Sequence, residues 1–180
     1  MLFRSIAEEV CLQMHLLNLS FVLAVQQRAT DDAQTVDICT KQLIGLAGIA
    51  AERIHRALKL PAGADGVLRT MELHPLFNPA GYVDADFADG RVVVHRSPAH
   101  DDGAWISLCS PGSVQALQAI ATAVDPRIEV HVEGTDTDWT LELTVADAPL
   151  REQSEVEVVR FSGGSTFTFE SRKSLPLTVV

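Results

Sequence analysis

The apolar residues of this chain change period part-way along it, and that change constrains the fold more than any single motif does. Through the first sixty residues they recur at helical spacing; beyond residue 82 they alternate. In residues 5–28 the apolar positions, Ile6, Val10, Leu12, Met14, Leu17, Phe21 and Val25 among them, form so broad a face that a largely buried helix is expected, and Ser5 followed by Glu8 has the spacing of a capping box. Thr30, Asp31 and Asp32 interrupt the pattern. A second helix is predicted over 32–58 with Val36, Cys39, Leu43, Leu46, Ile49 and Ile54 inward, stopped by Pro61 and Gly63. Gly45 and Gly48 inside it each cost about 1 kcal/mol relative to alanine. Tight packing of the first helix is the expected compensation; a groove for a ligand or a dimer partner is the alternative.

After a short helix over 65–73 the alternating segments pair naturally. Residues 82–87 and 91–96 flank Ala88, Asp89 and Gly90, a hairpin signal because glycine tolerates the positive φ of such turns. Residues 97–103 form a polar loop and 105–109 a short strand, and Ser110 with Pro111 reads as the N-cap and first turn of a helix reaching 124. A second hairpin joins 127–133 to 139–145. A third joins 156–161 to 166–171 around Gly163 and Gly164, which make a turn and not a phosphate loop. The fold class expected is α+β: an N-terminal helical hairpin (1–60) packed on an antiparallel, hairpin-rich sheet with one further helix (61–145). Residues 146–180 are a β-hairpin tail, read as the C-terminal part of a longer protein.

Composition narrows the function classes. A formal charge of −10 leaves no cationic stripe to follow a phosphate backbone, so nucleic acid is not an expected partner. Three widely separated cysteines, Cys11, Cys39 and Cys109, do not make a disulfide framework and suit a reducing, cytoplasmic setting. The most apolar run, 16–25, is interrupted by Asn18 and Ser20 and closed by Gln26, Gln27 and Arg28, so a buried helix is expected there and no membrane partner. Met1 to Ser5 resemble the translation of a sequencing adapter, which would make the native protein longer.

The stretches "HPLFNPAGYVDADFADGRVVVHRSP", "WISLCSPGSVQALQAIATAVDPRIEVHVEG" and "DWTLELTV", following a helical hairpin, resemble uncharacterised bacterial proteins near the aminothiazoline-carboxylate hydrolase-like family. More remotely they are similar to V4R (4-vinyl reductase-type) sensor domains. The resemblance spans about residues 12–145 and implies a small-molecule pocket between helices and sheet, often cysteine-lined and sometimes holding zinc. This chain departs from that pattern with Thr135, Thr137 and Trp139 beside the second hairpin and His95, Arg96, Ser97 and Pro98 at the end of a strand. Only Cys109 is carried over as a family-type cysteine.

The residues themselves gather reactive groups in one loop: His95, Ser97, His100, Asp101, Asp102 and Cys109. Cys109 beside a helix start, with His95 or His100 as base, would make a cysteine nucleophile. Imidazole, carboxylate and thiolate together would instead hold zinc and activate a water, although the spacing matches no specific zinc motif, and the same residues also suit a solvated loop. His15, His74, Phe77, Tyr82 and Trp105 are the candidate walls of a ligand pocket, mostly apolar with a few polar points. Three functions follow: binding a small organic molecule without a cofactor; hydrolysing a C–N or C–S bond in a small heterocycle or amide; or homodimerisation through the helical hairpin at the Gly45 and Gly48 face.

Overall fold

The computed structural model describes residues 6–101 and 103–150, together with 160–161 and 165–166. It is α+β, with α1 (Ile6–Gln26), α2 (Asp32–Leu58), α3 (Ala64–Leu73), β1 (Asp84–Ala88), β2 (Arg91–His95), α4 (Val114–Val124), β3 (Ile128–Gly134) and β4 (Trp139–Val145). The four strands form one antiparallel sheet in the order β1-β2-β4-β3. Asp89 and Gly90 both have positive φ, which gives the first hairpin the primed turn its sequence demands. Two further short strands, β5 (Arg160–Phe161) and β6 (Ser165–Thr166), pair with each other at the place expected for the third hairpin; the rest of that hairpin lies outside the described residues.

Alternation fixes the sheet's two faces. Val92, Val94, Ile128, Val130, Trp139 and Leu141 are buried toward α3 and α4, while Asp86, Arg91, His95, Glu129 and Glu142 face outward. Helix α4 lies between β3 and α2, and α1 is laid outside them. Gly48 is where α2 comes close to α4, a Cβ there meeting the Ala119 carbonyl oxygen at 3.6 Å, whereas Gly45 has open space beside it. The compensation for Gly48 is thus α4 and not α1. The turn after α4 is pinned by Asp125, whose carboxylate accepts from the Arg127 backbone N–H at 3.0 Å and guanidinium at 2.7 Å. That pairing holds the carboxyl down at about 2.

Three expectations need correction. Residues 105–109 are a turn in which the Cys109 N–H donates to the Trp105 carbonyl, because Pro111 two residues on and the buried Trp105 ring favour a compact coil over an edge strand. The last helix begins at Val114 after a 3-10 turn (Pro111–Ser113), and the Ser110 side chain does not cap it. Helix α1 is not buried: Leu12 and His15 reach the core, but Ile6 is 86% and Leu17 72% exposed, and Val36 and Leu46 on α2, expected inward, are exposed as well. Its segment Glu9–Gln26, mean hydropathy 1.3 and only 11% buried, is long and apolar enough by length and composition to cross a membrane.

Candidate functional site

The residues nominated as ligand walls do converge, but on one another. The helix-to-strand connection between α3 and β1, around the 3-10 turn Pro75–Phe77, organises them. His74 accepts the Leu76 N–H at Nδ1 (3.1 Å) and lies 3.2 Å from the Ala47 carbonyl through Nε2. Since Nδ1 is an acceptor, Nε2 carries the proton and donates to Ala47, so geometry sets the neutral tautomer. Burial drives its pKa down to about 4, opposed by the Ala47 hydrogen bond. The Trp105 indole N–H donates to the Leu76 carbonyl at 2.7 Å, and Phe77 packs edge-on against Phe87 with ring centroids 5.5 Å apart. Tyr82 stacks on His15, its hydroxyl 3.5 Å from Nδ1, and burial lowers the His15 pKa. His15, His74, Phe77, Tyr82 and Trp105 are all buried. They cement α1, α2 and the sheet half together.

The nominated catalytic residues are placed apart in environment. Cys109 is fully buried within the core, and burial pushes its thiol far above the ordinary range, the opposite of what a nucleophile needs. His95 stands on the outer face of the sheet, 3.3 Å from Asp86. His100 is buried edge-on to Trp105 at 4.9 Å, with Nδ1 3.1 Å from both the Ser97 amide and hydroxyl. Its Nε2 is buried without a hydrogen-bond partner. Among the described residues no hydrogen bond joins Cys109 to either histidine, and no three of His, Cys, Asp and Glu group closely enough to hold a metal ion.

A cleft opens elsewhere, between α1, α2 and the start of α4. It measures about 210 Å³ and is lined on one side by Asn18 and Val22, on the other by Cys39, Thr40, Leu43 and Gln115. Asn18, expected beside His15 in a single cavity, faces this cleft while His15 turns to Tyr82. A ligand pocket typically offers about 300–1,000 Å³; the adjoining groove along α2, between Asp37, Lys41 and Ile44, measures about 610 Å³ but is open to solvent.

A row of exposed apolar side chains runs along the outward side of α1. Ile6, Val10, Met14, Leu17 and Phe21 are exposed and recur at intervals of four, four, three and four, which puts them on one stripe, opposite Leu12 and His15. This spacing was visible in the sequence, but a helix apolar on both sides has no periodic signal to say which side the core takes.

Comparison with protein-family models, with curated proteins and with solved structures returns no match to the chain.

Proposed function

We propose that this domain is a homodimerisation module, and that its outward α1 stripe is the surface two copies share. The observation that carries this reading is the stripe itself: five large apolar side chains in one row, exposed, on a helix that reaches the core through Leu12 and His15 on its other side. Monomers seldom expose such a contiguous patch without a partner for it. Pairing two such rows takes apolar surface out of water on both copies at once, which is the burial a specific interface is built on.

A second copy fits this face better than a lipid surface. Helices that lie on membranes carry lysine or arginine along their polar side, and α1 contains neither, in a chain of net charge −10. Spanning a bilayer would require α1 to give up the Cys11 thiol contact with the Asn78 carbonyl (3.3 Å) and the His15–Tyr82 stack. The small-molecule and hydrolase readings find less support, because the nominated residues fill one another's space and Cys109 sits in the core.

Sedimentation of the full chain across a concentration series tests it. The expected mass is twice 19.5 kDa, falling to one copy for Leu17→Glu with its circular dichroism unchanged. A chain that stays monomeric into the high micromolar range rules the reading out.

A further inference from the structure

We infer that the two α1 helices pair antiparallel, about a twofold axis passing between Gln13 and Met14; this rests on the dimerisation reading above and adds the orientation and register to it. The stripe has a built-in asymmetry. Its N-terminal half carries the β-branched Ile6 and Val10, and its C-terminal half the longer Leu17 and Phe21, with Met14 between them. Antiparallel pairing about that axis sets Ile6 against the partner's Phe21 and Val10 against the partner's Leu17, so each layer joins a compact side chain to a longer one. The two Met14 side chains, unbranched and adaptable, meet near the axis. Parallel pairing sets like against like and makes the seam narrow at one end and wide at the other, which leaves voids that close packing does not tolerate.

Charge selects the same orientation. The acidic residues of α1 are Glu8 and Glu9, both in its first turn, and no lysine or arginine lies on the helix to offset them. Side by side in a parallel pair, the two Glu9 carboxylates would share one end of the helix pair. In the antiparallel pair Glu9 lies at the height of the partner's Asn18, and the two Glu9 positions are separated along the axis by about 13 Å at 1.5 Å per residue. That exceeds the ~8 Å Debye length at physiological ionic strength, so their repulsion is screened. The helix macrodipoles also oppose one another only in this arrangement. An antiparallel pair about a twofold axis is closed, so it yields dimers and not filaments.

Cysteine cross-linking separates the orientation from the dimer itself. In full-length chain carrying Cys11→Ala and Cys39→Ala, with Cys109 left in the core, Val10→Cys and Leu17→Cys are made singly, checked by sedimentation, and oxidised alone and mixed. The expected result is a disulfide-linked dimer in the mixture, with each single variant alone staying uncrosslinked. Self-linking of Val10→Cys and of Leu17→Cys, with nothing extra in the mixture, overturns the antiparallel register while leaving the dimer standing. Sedimentation at the mass of one copy with no cross-link in any sample overturns both. Met14→Cys links to itself in either orientation and reports that the stripe is the seam; its failure to link in a sedimenting dimer moves the interface off α1 and overturns the inference.

Discussion

His74 and Ala47 are joined by a hydrogen bond from imidazole Nε2 to a helical carbonyl at 3.2 Å, and it is the neutral ring that makes it. The same ring takes the Leu76 N–H at its other nitrogen, so one side chain fastens α2 to the turn before the sheet. Its folded pKa, about 4, lies below the unfolded value near 6.5. Between those values the unfolded chain binds a proton that the folded one refuses. Stability is therefore complete above pH 6.5 and declines as the pH falls toward 4, by about 3 kcal/mol at the order-of-magnitude level. The lowered pKa of His15 acts in the same sense. Urea melts at pH 7 and pH 4.5 should differ accordingly, and His74→Ala should lose about 2–4 kcal/mol at pH 7 while flattening that pH dependence. An unaltered slope in the variant would assign the dependence to other groups.

Cys109 is expected to behave as a small apolar side chain. With a disulfide-exchange reagent at pH 8, the half-buried Cys11 and Cys39 should react in the native protein and Cys109 only at the rate of unfolding. Cys109→Ala should be milder than Cys109→Ser, which buries a hydroxyl and costs about 1–3 kcal/mol if it finds no partner. Fast native labelling of all three thiols contradicts the packing described above.

Trp105 ties the loop after β2 to the turn after α3 through its bond to Leu76. Trp105→Phe keeps most of the apolar volume but leaves that carbonyl unmet, so a loss of about 1–3 kcal/mol is expected. Trp105→Ala removes the ring against which His100 rests and should lose about 3–5 kcal/mol. Chemical denaturation followed by the fluorescence of Trp139 reads both variants; equal losses would mean the hydrogen bond contributes nothing separable.

Two glycines in helices should respond in opposite directions to alanine. At Gly45 an added Cβ meets nothing within 4 Å, so Gly45→Ala should gain about 0.5–1 kcal/mol from helix propensity alone. At Gly66 the same atom would collide with the Pro61 carbonyl oxygen and carbon, which are backbone and cannot turn aside. Gly66→Ala should therefore lower the melting temperature markedly despite the identical gain in propensity. A stabilised Gly66→Ala would show that the 58–64 connection yields easily.

What the sequence conveyed, and what it did not, divides along physical lines. Both sheet hairpins and the ends of α2 and α3 were legible because local chemistry specifies them: the Asp89-Gly90 turn, the alternation of Val92 and Val94, the stop at Pro61. Which side of α1 faces the core was not legible, because Leu12 and Leu17 have the same chemistry and only tertiary packing distinguishes them. The nominated loop suffered a related ambiguity. Histidine, cysteine and tryptophan near one another in sequence describe a reactive site and a well-satisfied core equally well, and here His100 and Trp105 pack while Cys109 is sealed. That Gly48 serves α4 and not α1 required knowing a contact between residues 71 positions apart, Gly48 and Ala119.

The position of β4 carries a consequence for how the chain is made. It is the last strand of the four-stranded sheet to be synthesised, yet it lies inside the sheet, between β2 and β3. Until residues 139–145 have left the ribosome, β2 and β3 each present an open inner edge, with unpaired amides and carbonyls between valines and isoleucines, and unpaired strands of this kind are prone to join other chains. Only the final strand closes the gap from both sides at once. A nascent chain of this protein is thus exposed from the emergence of β2 until β4 follows it, and its need for a chaperone should end abruptly, at the moment a single seven-residue segment arrives.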